Sequence, residues 1–460
     1  MRKQTLAIII IVASGCKSYT DQMESFRRDV ELDCSLAEYQ IYDENGKNRL
    51  LTFEEEGRLC QLKGDWKGSS DKYKAAMDYV YEQNETKAQF SCGDILKDAI
   101  ASTYGNEMTR DYQPCAFEQM MVHTLDAFNR LALEEWDNFG VDVRNIETWR
   151  NEAAVMIDKD NEELRKNGIE ADTSAASSVF GKNAVNRSTD NIYSLYLIGL
   201  YREAIGDREN AKKVYRDIWR IRRDAATVRE SLSNLDEAID ADNGDVVLFF
   251  EEGFIPPRRE YTVHEGKIVT TIVSSTPTYE AFDCMPYDEG ALLVKEKGVR
   301  VARTKLLCDL APLAARSLDE MMGGIIKRQI ARTSVKATTQ VTLSAIAIGA
   351  TAGAVAASGR AGGGAVLIGV AGAATFGAMA MGIYNKASER ADLRSWLLLP
   401  RQVQIARFKM KPGSHALRLQ KSGMHQDVQV DVKAGKISVV YCITAPNIMR
   451  SFSACLDKIK

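Results

Sequence analysis

The sequence predicts an α+β chain: a helical array first, a strand-rich middle, a Gly/Ala-rich apolar helical hairpin, and a small C-terminal β-sandwich. Three observations lead there. Residues 20–240 contain a single proline, Pro114, and carry apolar residues at helical spacing. From Gly244 the period changes to that of strands, and it does so again after residue 390. Between them, Val341 to Tyr384 is an apolar run whose only charge is Arg360. The expected segments are 1–15 (signal peptide), 16–240 (helical array), 241–340 (strands plus an amphipathic helix), 341–390 (apolar hairpin) and 391–460 (β module).

The first segment sets the location. Arg2 and Lys3 precede an apolar core, Leu6 to Val12, far shorter than the roughly 20 residues that cross a bilayer. The run Ala13-Ser14-Gly15-Cys16 resembles a bacterial lipobox, with Ala13 where Leu is usual. The resemblance implies that Cys16 becomes the first mature residue and carries a diacylglycerol and an acyl chain such as palmitate. Lys17, where the inner-membrane retention signal has Asp, points to the outer membrane. Acyl chains buried at about 0.8 kcal/mol per CH₂ anchor such a chain. The net charge of -3, with both signs interspersed, gives no footprint for nucleic acid. Cys34 with Cys60, and Cys442 with Cys455, are candidate disulfide partners in an oxidising compartment. The four histidines, His123, His264, His415 and His425, show no metal-ligand spacing. No metal and no cofactor beyond the covalent lipid is expected.

In the helical array, Phe53, Gly57, Gly64-Asp65, Trp66, Ser69, Tyr73 and Ala76 fall at the spacings of a tetratricopeptide repeat. A small residue at Gly57 lets two helices approach, Gly64-Asp65 makes the turn, and Tyr73 and Ala76 supply the second helix's packing face. The pattern returns at Leu195, Ile198, Gly199, Gly206-Asp207, Ala211 and Tyr215. A weaker copy holds Ala127, Trp136 and Phe139, with Glu134-Glu135 in place of the glycine turn. Such pairs either build a concave partner-binding surface or fold into a globular helical domain. Residues 168–188 are Ser/Ala/Gly-rich and read as a loop.

In the middle, Val246 to Phe250 reads as a buried strand, and Tyr261 to Val263 and Ile268 to Val273 as further strands around a turn at His264 to Lys267. Glu251, Glu252 and His264 form a candidate acid/base cluster, but carboxylates beside a turn are expected to be solvated. Ala315 to Gln340 alternates Ile325, Ile326, Ile330 and Val335 with Lys327, Arg328, Arg332 and Lys336, as an amphipathic helix does. The apolar run that follows has two halves around Ser358 to Gly364. Gly349, Gly353, Gly369, Gly372 and Gly377 permit close helix approach, so it is either buried core or a membrane-entering or oligomerising hairpin.

The last segment alternates through Val403, Ile405 and Phe408, then Leu417 and Leu419, then Val428, Val430 and Val432, then Ile437, Val439 and Tyr441, with a last hairpin at Lys433 to Lys436. Pro412-Gly413-Ser414-His415, Gly423 and Ala434-Gly435-Lys436 resemble a PEGA-type β-sandwich of exported bacterial proteins; His415 reads as a turn residue. The phrases Glu252-Gly253-Phe254-Ile255-Pro256 and Asp392, Arg394, Ser395, Trp396, Leu399-Pro400, Arg407, in this order behind the helical repeats, resemble a largely uncharacterised family of bacterial TPR-containing lipoproteins. Asp392, Arg394 and Trp396 read as a helix-end junction or a binding hot spot. The expectation is a non-enzymatic, lipid-anchored envelope scaffold that binds envelope proteins. The alternative is a membrane-active or channel-forming oligomer built on residues 341–384. No Ser-His-Asp order, Cys-His pair or metal set supports a hydrolase.

Overall fold

Three helices end the same way, and those ends organise the first half of the chain. The computed structural model describes residues 19–35, 37–38, 46–89, 111–166, 185–264, 271–277, 290–321, 392–445 and 447–459. Gly64, Glu134 and Gly206 each adopt positive φ (82°, 55° and 82°). At each, one N–H bonds three residues back, to Gln61, Leu131 and Glu203. The next N–H bonds five back, to Cys60, Arg130 and Arg202. This is the Schellman closure, which satisfies the last carbonyls of a helix. It divides the chain into hairpins of α1 to α8: α1 (Tyr19–Asp33) precedes the pairs α2 (Arg49–Lys63) with α3 (Trp66–Gln89), α4 (Ala116–Ala132) with α5 (Trp136–Lys166), and α6 (Ile192–Ala204) with α7 (Arg208–Ile221), and α8 (Ala226–Asp236) follows.

Side chains repeat with the turns. Gly57 and Gly199 lie seven residues before their turns, and Tyr73 and Tyr215 nine after, as the numbering shows. A Cβ on Gly57 would sit 2.5 Å from the Tyr73 ring, and one on Gly199 would sit 2.6 Å from the Tyr215 ring. The same two positions of the middle hairpin hold Ala127 and Val143, both buried. In each pair the smaller residue lies on the first helix and the larger on the second, as close packing of two helices requires.

Eleven strands follow among the described residues: β1 (Gly244–Phe254), β2 (Arg258–His264), β3 (Thr271–Pro277), β4 (Leu293–Glu296), β5 (Val299–Arg303), β6 (Lys305–Asp309), β7 (Pro400–Met410), β8 (Gly413–Lys421), β9 (Met424–Val432), β10 (Ile437–Ala445) and β11 (Ile448–Cys455). They form a five-stranded sheet in the order β11-β10-β1-β7-β6, a four-stranded sheet β5-β4-β8-β9, and the ribbon β2-β3. β1 runs parallel to β10 and antiparallel to β7. Val247, Phe249, Val403, Ile405, Val439 and Tyr441 face one way and join the helical core. Val246, Leu248, Phe250, Ala406, Val440 and Cys442 face the other way and share a second core with Leu417, Leu419, Val428, Val430 and Val432 of the four-stranded sheet. The architecture is therefore mixed helix and sheet in three layers. Helices α2, α4 and α6, buried along most of their length, lie against the five-stranded sheet. Helix α7 buries only Ala211, Tyr215 and Ile218 among its fourteen residues, as an outer helix does.

Several expectations need correction. The strands of 241–340 and of 391–460 are not separate modules, because β1 is the central strand between β7 and β10. Lys433 to Lys436 does not close a hairpin: it carries the chain from the four-stranded to the five-stranded sheet. The reason is burial. Every residue of β10 is buried, as in a strand covered on both faces, whereas β9 alternates. Residues 392–399 are irregular rather than helical, and the helix expected from Ala315 begins at residue 311, after Asp309 accepts the N–H of Ala311 at 3.1 Å. Cys34, Cys60, Cys442 and Cys455 are free thiols. The register sets Cys455 opposite Ser438 and Cys442 opposite Ser451, which separates the second pair. The signal peptide, Cys16, most of the 168–188 loop, the rest of the amphipathic helix and the 341–384 hairpin lie outside the described residues. Among the described residues, no helix is long and apolar enough to cross a membrane.

Candidate functional site

Glu251 sits on β1, two residues beyond Phe249, so it points into the helical layer. Its side chain is fully buried. Arg58 of α2 meets it there, with Nη2 2.5 Å from Glu251 Oε2 and neither side chain more than 1% exposed. Tyr193 of α6 donates its hydroxyl to Glu251 Oε1 at 2.5 Å. The guanidinium also donates to Leu398 O at 3.2 Å, Gln61 Oε1 at 2.8 Å and the Tyr441 hydroxyl at 3.3 Å. Gln61 passes the network on to Leu125 O and Asn129 Oδ1. The carboxylate expected to be solvated is thus the polar centre of the helix–sheet interface. Aromatic rings surround it: Tyr441 stacks on Phe128 at 4.2 Å and 10°.

The segment after residue 391 is held by carboxylates from the helices. Leu397 and Leu398 donate their N–H groups to the two oxygens of Glu55 at 2.6 and 3.1 Å, and Trp396 donates to Glu118 Oε1 at 3.2 Å. Burial, opposed by those two backbone bonds, pushes Glu55 up to about 8. Arg394 forks onto Asp392 through Nε and Nη2 at 2.9 and 2.8 Å and donates to Asn48 Oδ1 at 3.0 Å. Its guanidinium lies 5.6 Å from the Tyr112 ring centre. Trp396 is fully buried and meets Tyr73 edge to face. Of the two readings of Asp392, Arg394 and Trp396, the burial fits the junction: these groups bind the protein's own α2, α3 and α4.

A second polar chain was not marked by any spacing in the sequence. Trp149 Nε1 donates to His123 Nε2 at 3.2 Å, which leaves His123 Nδ1 to donate to Asp142 Oδ1 at 3.1 Å. Both ring nitrogens are occupied. His415 bridges Glu296 Oε1 and Lys411 O at the β7–β8 turn. Among the described residues, no group of three or more His, Cys, Asp or Glu could hold a metal.

The open concavity lies elsewhere, where the third hairpin meets the end of the sheet. It is a solvent-open cleft of about 880 Å³. Arg407 of β7 forms its wall, bidentate to Glu203 at 2.9 and 2.8 Å and 2.6 Å from Asp245 Oδ2. Lys409 pairs with Asp240 at 3.1 Å. Hydrogen bonds from Asn243, then Lys409, hold the Asp240 carboxyl well below the usual range. Arg208 donates to Leu235 O and Glu237 O and so closes the end of α8. Exposed Ile239 and Lys436 stand on the rim. These charges are already matched within the chain.

A scan against protein-family models finds no match, and comparisons with curated proteins and with solved structures find none either.

Proposed function

We propose that the protein is a non-enzymatic adaptor of the bacterial envelope. In this reading it is tethered to the outer membrane by lipids on Cys16, and its three hairpins are a divergent tetratricopeptide array packed on a β-sandwich to which the middle and the end of the chain both contribute strands. One observation carries the reading. The inner face of the hairpin array, where such arrays bind peptides, is filled here by the chain's own five-stranded sheet, locked by Arg58 and Glu251. The helices and sheets thereby make one platform, and partner recognition passes to the cleft walled by Glu203, Asp245 and Arg407. The lipid supplies attachment and the platform supplies specificity.

The test is a photo-crosslinking amino acid placed at Ile239, on the cleft rim, and at Val155, exposed on α5 away from the cleft lining, in cells. The Ile239 probe should capture a discrete envelope protein, the Val155 probe should not, and Lys436→Glu should reduce the Ile239 adduct. Equal capture at both positions refutes the cleft as the docking surface. Cys16→Ser should abolish metabolic labelling of the protein with palmitate; labelling that survives this change overturns the lipid tether.

A further inference from the structure

A second, small opening to solvent lies among α2, α3, α4 and α5, a shallow slot lined by Glu54, Met77, Val80, Tyr81, His123 and Trp149 with a few other side chains. Its walls are otherwise largely apolar and aromatic: Gln119 is neutral, and both ring nitrogens of His123 are engaged. Glu54 is the exception. It is 1% exposed, and its Oε2 is buried without a hydrogen-bond partner. An unpaired buried acceptor of this kind is costly and demands an explanation. Glu55 and Glu118 beside it bond the backbone of residues 396–398 and not Glu54. Burial, then the Glu118 and Glu55 carboxylates, hold the Glu54 carboxyl well above its usual range, as befits an acid without its counter-charge.

Two rings stand at the same slot. Tyr81, half exposed, and Trp149 have centroids 6.4 Å apart and planes tilted by 36°. Aromatic faces next to an acid attract cations. The chain uses the same contact elsewhere, where Arg49 lies 5.7 and 5.5 Å from the Phe53 and Tyr79 ring centres. Met77 and Val80, partly buried on α3, add apolar wall suited to an aliphatic stem.

We propose that this slot is a docking site for a lysine side chain of a partner polypeptide, its stem along Met77 and Val80 and its ammonium at Glu54 beside Tyr81 and Trp149. Lysine fits better than arginine. One carboxylate satisfies a compact ammonium, whereas a guanidinium presents five N–H groups in a plane. The site is separate from the cleft, so it stands or falls independently of the adaptor reading.

The experiment follows the Trp149 indole N–H signal by NMR in the full-length protein, titrated with Nα-acetyl-lysine methylamide and with the norleucine analogue, which keeps the stem and lacks the charge. The lysine compound should give a saturable shift, and the norleucine compound should bind at least tenfold more weakly. Glu54→Gln should reduce lysine binding at least tenfold. Tyr81→Ala, at an exposed position where folding is not at risk, should weaken it severalfold. Equal binding of the two compounds, undiminished binding to Glu54→Gln, or the absence of any saturable shift with the lysine compound would each overturn the proposal.

Discussion

Arg58 and Glu251 come from a helix and a strand far apart in the chain and meet with both side chains fully buried, so neither can be judged alone. A buried ion pair gains little net stability over an apolar substitute, but removing one member strands the other charge, at about 3–5 kcal/mol. Arg58→Ala should therefore lower the urea midpoint by an amount worth about 3–5 kcal/mol. The double variant Arg58→Met with Glu251→Met should lose less than Arg58→Ala does, and a larger loss in the double variant would show that the pair itself is the stabilising element. Glu55 makes a different demand. Its carboxyl is raised from 4.5 to about 8 by burial. Between those values the folded chain holds a proton that the unfolded chain has released. Its contribution is full below pH 4.5 and is lost as pH rises through about 8, on the order of a few kcal/mol in total. Denaturation midpoints measured from pH 5 to 9 should fall across that range. Glu55→Gln has no such proton to lose and should flatten the slope, while being less stable at pH 5 because its amide replaces one of two acceptors facing Leu397 and Leu398. An unchanged slope in this variant would assign the pH dependence to other groups.

Each helical hairpin is a turn with a matched pair of packing residues, and the middle one shows how far both can drift. Gly57→Ala places a methyl 2.5 Å from the Tyr73 ring, an overpacking that costs about 1–3 kcal/mol. Adding Tyr73→Val recreates the Ala127 and Val143 combination of the middle hairpin. The double variant should recover part of the loss expected from summing the two single changes, and strict additivity in the double-mutant cycle would sink the idea of a matched pair. The turns make the opposite prediction. Glu134 holds φ 55° where its counterparts are glycine, a conformation costing a side-chain-bearing residue about 1–2 kcal/mol. Its exposed pair with Lys458 offsets little of that. Glu134→Gly should raise the thermal midpoint, and a fall would mean that the Glu134 side chain contributes more than its geometry suggests. These features show what the sequence makes legible. Gly64-Asp65 and Gly206-Asp207 announce turns because only local backbone geometry is at stake. Glu134-Glu135 announces nothing, because a left-handed residue without glycine leaves no compositional mark. Asp392, Arg394 and Trp396 were recognisable as a junction, but Glu55, Glu118 and Glu54, which hold or border it, were not, since ordinary glutamates on a helix read as solvent-facing until the partner layer is in place.

At the scale of the whole molecule, the decisive fact is nonlocal. The alternation of β7 to β10 is written in the last seventy residues, and it invites the reading of a self-contained β module. Alternation specifies which face of a strand is apolar, however, and says nothing about which strand lies next to it. In the fold, β7 and β10 never touch edge to edge: β1 lies between them, paired through Val246 to Phe250 on both sides. On the other face, β4 pairs with β8 and continues that sheet. A fragment of residues 391–460 would thus present β10 and β7 with open edges and would leave Val439, Tyr441, Val403 and Ile405 without the helices that bury them. Expressed alone, it should be unfolded or aggregated, with little dispersion in its amide NMR spectrum. Co-expression with residues 16–390 should restore a complex in which the Tyr441 ring is again immobilised on Phe128. A monomeric, well-dispersed 391–460 fragment would show that the β strands can find another partner order by themselves. The same dependence joins the first described helix and the final strand in one core, which holds Met23, Phe26 and Val30 together with Ile448 and Ala454, so no part of the platform is a detachable module.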